Sequence, residues 1–166
     1  MGALEFRWGV LIGLAGLAWL YLSYYLGMHT NGLALVQVMA MVGFLIQIVG
    51  FVLALRVVHR AYPEMTFLEG GASGMRIAGI VAIFSVIAQL GYLLLIHPEW
   101  PELMATEIAA YYEAQGVTGD DLEDYREGAR TTYGPRSNLL QAALGALFFG
   151  AVTTLITMAF LKRKAR

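Results

Sequence analysis

The chain predicts an all-α fold: a four-helix transmembrane bundle with an extracytoplasmic amphipathic helical hairpin between the third and fourth spans. Three observations predict it. First, 58% of the 166 residues are hydrophobic and only 14% are charged, whereas charged residues alone approach a quarter of an ordinary soluble domain. Second, four apolar stretches, Trp8 to Met28, Leu33 to Leu55, Ile77 to Ile96 and Leu139 to Leu161, contain no Asp, Glu, Lys, Arg or His. Each supplies about the twenty residues that a helix needs to cross hydrocarbon roughly 30 Å thick. Third, the run from His97 to Arg136 is long, polar and acidic, while the other connectors are short or basic. A single membrane domain over residues 1–166 follows, with an outer insert at about 97–137.

Orientation comes from the basic residues. Arg7, Arg56, Arg60, Arg76, Lys162, Arg163, Lys164 and Arg166 fall on one side of the spans, and Arg126, Arg130 and Arg136 on the other. By the positive-inside rule both termini and the connector between spans two and three are cytoplasmic, and residues 97–137 are extracytoplasmic. A bacterial inner, or plasma, membrane is the expected location. The tail from Lys162 to Arg166 is read as a stop to translocation of the last span, with binding of anionic lipid as the alternative. The first span is expected to be retained: its core is longer than a secretory h-region, and Leu26-Gly27-Met28-His29 offers no small-x-small cleavage site. The chain has no cysteine, which excludes disulfides, thiolate catalysis and cysteine-bound metals.

Span one places Gly9, Gly13, Gly16, Ser23 and Gly27 along one helical stripe, a face that lets another helix approach closely. Packing inside the bundle is the expected use, with a homodimer seam as the alternative. Trp19, Tyr21, Tyr24 and Tyr25 lie toward its outer end, where amphipathic rings prefer the headgroup level. The turn His29-Thr30-Asn31-Gly32 makes spans one and two antiparallel neighbours. Span two carries Val36, Ala40, Gly43, Gln47, Gly50 and Ala54 on one face, and span three Ala78, Ala82, Ser85, Gln89 and Tyr92. An unpaired amide in hydrocarbon costs several kcal/mol, so Gln47, Gln89 and Ser85 define a candidate intramembrane polar layer in which the two amides meet or share a level. Interhelical hydrogen bonding is the bland reading of that layer and a path for a small polar molecule the functional one. No ionisable group falls within the expected spans, which argues against ion-coupled transport, and no internal repeat supports alternating access.

The connector from Arg56 to Met75 contains Gly70-Gly71-Ala72-Ser73-Gly74, but the Lys-Ser/Thr step of a phosphate-binding loop is missing. It is expected to be a short interfacial segment, with Phe67 and Leu68 in the headgroups, followed by a flexible turn into span three. In the outer insert, Pro98 and Pro101 end span three and open a helix. Met104, Ile108, Tyr111 and Tyr112 form its apolar stripe, and Gly116 ends it. Thr118 is the expected N-cap of a second helix, with Asp120, Asp121 and Glu123 in its first turn, Leu122, Tyr125, Ala129 and Tyr133 as its stripe, and Gly134-Pro135 at its end. The acidic cluster lacks the spacing of a calcium loop. His29 and His97, near Glu99 and Glu102, are a conceivable surface metal site, set against ordinary interfacial histidines. Span four, with Ala142, Ala146, Phe149, Thr153 and Thr157 on one side, closes the bundle.

Thr66-Phe67-Leu68-Glu69 followed by glycine, His97-Pro98-Glu99-Trp100, Tyr111-Tyr112-Glu113-Ala114-Gln115-Gly116-Val117-Thr118, and a last span ending in Leu161-Lys162-Arg163-Lys164 occur here in one order. In this the chain resembles the domain of unknown function 4199 family, small bacterial membrane proteins with four spans and a charged helical insert. The resemblance covers nearly the whole chain and implies fold and topology, with no activity, cofactor or catalytic residue. The expected function is that of a non-catalytic accessory, assembly or interaction subunit. Its partners would be the lipid bilayer and a membrane protein or a second copy, without nucleic acid or cofactor, and Trp100, Tyr111, Tyr112 and Tyr125 would form its outer partner surface. The alternative is binding or transport of a small neutral or lipid-like molecule through the weakly polar core.

Overall fold

The computed structural model describes residues 2–163, so the last three residues of the basic tail, 164–166, lie outside it. Six α-helices account for nearly all of these residues, and no strand occurs among them: α1 (Gly2–Tyr25), α2 (Leu33–Ala61), α3 (Phe67–Gly91), α4 (Trp100–Glu113), α5 (Asp120–Thr132) and α6 (Pro135–Arg163). Four helical segments, Gly2–Tyr25, Leu33–Ala61, Phe67–Ile96 and Pro135–Leu161, are long and apolar enough to cross a membrane. Each takes in charged residues outside its expected stretch, although the first stops at Tyr25, short of the expected Met28.

The four long helices pack through small residues. A Cβ added to Gly9 or Gly13 of α1 would strike Ile80 or Phe84 of α3, one added to Gly50 of α2 would strike Ile12 of α1, and one added to Gly150 of α6 would strike Ala78 and Phe51. Helix α3 thus lies between α1 and α6, and α2 touches both of those as well. Gly16, expected on the same stripe, has open space around it, and Gly27 belongs to the following turn with φ +73°. The surfaces turned away from these contacts carry exposed Leu11, Met41, Ile83, Leu144, Phe148 and Ile156. Small residues inside and large apolar ones outside is the pattern of helices that associate in lipid.

Span three corrects the sequence reading. Its helix starts at Phe67, ten residues before the expected start, because Thr66 and Glu69 form a reciprocal cap: the Glu69 amide donates to Thr66 Oγ1 at 3.2 Å, and the Thr66 amide donates to Glu69 Oε2 at 2.6 Å. The glycine run expected to be a flexible turn is helical. Gly70 and Gly74 sit against Met158 and Thr154, where a Cβ would come within 2.2 and 2.1 Å of a side-chain atom, so this run is a contact face for α6.

At its other end span three widens into a π-helical segment, Tyr92–Ile96, closed by the His97 amide donating to the Tyr92 carbonyl at 2.7 Å. Pro98 cannot extend it. Helices α4 and α5 then pair as a hairpin whose turn uses Gly116 (φ 88°) and Gly119 (φ 70°). Gly119, not the expected Thr118, precedes the first turn of α5, and no side chain caps it. Pro135 opens α6 rather than closing α5, which ends at Thr132. On α4 the buried face is Trp100, Met104, Ala105 and Ala109. Tyr111, expected on that stripe, is exposed, because α4 packs through its alanines.

Candidate functional site

The hairpin end of the molecule holds a cluster of aromatic and imidazole rings drawn from four parts of the chain. Ser23 and Tyr24 lie at the end of α1, His29 follows in the turn, Tyr92 opens the π-helical segment and His97 follows it, and Trp100 opens α4. The π-helical widening is what brings Tyr92 and His97 into parallel stacking, with centroids 5.9 Å apart, in keeping with the frequent use of such segments at functional positions. Tyr24 lies edge-on to His29, Tyr92 and His97 at 5.6–6.0 Å, and Trp100 packs on His29, Tyr92, His97 and Tyr133.

His29, 2% exposed, sits in a defined hydrogen-bond relay. The Ser23 hydroxyl donates to the Leu20 carbonyl at 2.8 Å, so Ser23 Oγ accepts from His29 Nε2, 2.9 Å away. The Tyr92 hydroxyl then donates to His29 Nδ1. This tautomer holds the ring neutral. Burial, reinforced by the nearby charge on His97 when that ring is protonated, pulls the His29 pKa down to about 4. The serine and histidine are spaced as a nucleophile and base would be, yet Ser23 is fully buried and its proton is committed to the backbone. The arrangement locks the turn between α1 and α2 onto span three. Among the described residues no group of three or more His, Cys, Asp or Glu side chains could hold a metal ion.

Trp100, expected on the outer partner surface, is 5% exposed and belongs to this cluster. Tyr111 and Tyr125 are exposed, and Tyr112 stacks on Tyr125 at 3.8 Å across the hairpin. Beside these rings, Arg130 makes a bidentate ion pair with Glu102 of α4, at 2.6 and 3.0 Å, and a third contact with Glu127 at 2.6 Å. Hydrogen bonding to Arg130 holds the Glu102 carboxyl below the usual carboxylate range. A shallow groove of about 290 Å³ runs between the two helices over Tyr112, Tyr125 and Ala129.

The expected polar layer divides. Gln89 does not meet Gln47; its amide donates to Asn138 Oδ1 at 3.0 Å, and Asn138 Nδ2 donates to the Tyr133 carbonyl at 2.8 Å. Gln141 donates to the Thr132 carbonyl at 3.0 Å. These amides tie the last turn of α5 to spans three and four. Gln47 Oε1 is buried without a partner among the described residues, and Ser85 is half-buried.

Sequence reasoning missed a second polar layer, at the opposite end of the core. Glu5 is 1% exposed and pairs through Oε1 with Arg76 at 3.1 Å. Their separation of 71 residues is the same offset that sets Gly9 against Ile80 and Gly13 against Phe84. Glu5 Oε2, His59 Nδ1, Ser73 Oγ and Thr154 Oγ1 are all buried there without partners among the described residues. The signal lay in the sequence: Glu5 stands four residues before Gly9, on the same helical face.

The sequence model of a family described as "Protein of unknown function (DUF4199)" matches residues 7–163. No curated protein matches the chain, and no solved structure does.

Proposed function

The chain belongs to the DUF4199 family, and from that premise we propose that it is a non-catalytic inner-membrane protein that presents its α4–α5 hairpin, as a rigid extracytoplasmic head, to a membrane-protein partner. The four long helices form the transmembrane bundle in this reading, with both termini cytoplasmic, in keeping with the bias in arginine and lysine. The observation that carries the proposal is the double mounting of the hairpin. Trp100 and Met104 sink into the ring cluster at one edge, and Asn138 and Gln141 hold the other by hydrogen bonds to the end of α5.

What remains outward is chemically distinct from lipid-facing surface. Tyr111 and Tyr125 are exposed on it, and the first turn of α5 offers Asp120 and Asp121. Tyrosines on a rigid support make contact at little entropic cost, and the carboxylates favour a basic partner surface. The non-catalytic reading is supported by Ser23, whose proton is already donated to the Leu20 carbonyl.

Site-specific photo-crosslinking in intact cells tests this. A crosslinker at Tyr111 or Tyr125 is expected to capture one discrete protein, and one at the lipid-facing Ile83 is expected not to. Adducts to lipid alone from both hairpin positions would overturn the proposal.

A further inference from the structure

Beside the ring cluster, the junction between α1 and α4 opens a recess of about 330 Å³ lined by Tyr24, Ile96, His97, Pro98 and Glu99. Its groups are complementary to a cation. The Glu99 carboxylate is exposed, and no ion pair among the described residues engages it. Tyr24 contributes an aromatic ring, whose π-system attracts ammonium groups. His97 lines the recess as well, but its Nδ1, which has no hydrogen-bond partner among the described residues, is buried out of reach of a ligand there.

The surroundings specify what the cation is attached to. Leu94 and Leu95, in the π-helical segment leading up to the recess, are exposed, Leu95 at 81%. Tyr25 and Leu26, at the neighbouring end of α1, are exposed as well. An acidic recess next in sequence to exposed leucines, at the ends of two helices long and apolar enough to span, matches the two-part chemistry of a lipid, an ammonium and its acyl chains. We propose that this recess binds the primary ammonium of a zwitterionic membrane phospholipid such as phosphatidylethanolamine. The ammonium donates to the Glu99 carboxylate and rests against Tyr24, while the acyl chains lie against the exposed apolar residues at these helix ends. An ammonium brings three N–H donors and no acceptor, which suits a recess offering a carboxylate and a π-face. An anionic headgroup would meet Glu99 with like charge.

This inference rests on the spanning part of the reading above and is independent of the protein partner. The test is native mass spectrometry of the full chain released from nanodiscs containing phosphatidylethanolamine, phosphatidylcholine and phosphatidylglycerol in equal amounts. The wild type is expected to retain phosphatidylethanolamine in preference to phosphatidylglycerol. Glu99→Gln is expected to cut that retention about tenfold, a difference near 1.4 kcal/mol, and Glu113→Gln, an exposed carboxylate at the far end of α4, to leave it unchanged. Equal retention of the lipids by the wild type, or unchanged selectivity in Glu99→Gln, overturns the inference. So does displacement of the lipid by free ethanolamine at equal concentration, which would assign the site to a soluble amine. Failure of the wild type to enter nanodiscs would overturn the spanning reading and this inference together, whereas entry without lipid preference overturns this inference alone.

Discussion

His29 is where a single residue does most to join the parts of this molecule. Its ring is faced by Ser23 and Tyr24 of α1, by Tyr92 and His97 around the π-helical segment, and by Trp100 of α4. Burial lowers its pKa to about 4 from 6.5, so the unfolded chain binds the proton more readily than the folded one. The stabilisation is therefore complete above pH 6.5 and is lost as pH falls toward 4, with a magnitude of about 3 kcal/mol. Thermal unfolding in detergent is expected to show lower stability at pH 4.5 than at pH 7. His29→Gln is expected to be less stable at pH 7 and to lose much of that pH slope; an unchanged slope in the variant would remove His29 from this role. Little of this was legible beforehand. His29 and Tyr92 are 63 residues apart, and no local pattern reports a bond across that distance. Glu5 was more legible, since it continues the glycine face of span one by one turn.

At the scale of elements, glycines decide how closely the helices approach, and their surroundings divide them into two classes. At Gly150 a Cβ would lie 2.6 Å from the Ala78 Cβ and 2.8 Å from the Phe51 ring, and at Gly145 it would meet nothing within 4 Å. Gly150→Ala is expected to destabilise by about 1–3 kcal/mol through overpacking, and Gly145→Ala to stay within about 0.5 kcal/mol. Equal melting temperatures for the two variants would contradict the packing described for α2, α3 and α6. The spans themselves were legible because apolar length and charge exclusion are properties of the chain alone. The start of span three was misread because Gly70 to Gly74 has loop composition, although Thr66-x-x-Glu69 is a helix-start signature. In a helix that packs in lipid, glycine marks contact as readily as it marks a turn. The division of Gln89 from Gln47 was hidden for another reason: a helical wheel gives the face of an amide but not which neighbour reaches it first, and Asn138 does.

For the whole molecule, the amphipathic character of α4 and α5 was enough to foresee a hairpin, while its fixed seating depends on Trp100, Asn138 and Gln141 meeting groups from distant segments. The central claim is that this head and the long helices form one rigid piece. The chain has no cysteine, so paired cysteines introduced at the exposed positions Tyr125 on α5 and Leu35 on α2 would accept nitroxide labels cleanly. Pulsed electron–electron double resonance between those labels in nanodiscs is expected to give a single narrow distance distribution. A broad or multimodal distribution would show a hairpin swinging free of the spans, and would contradict the account.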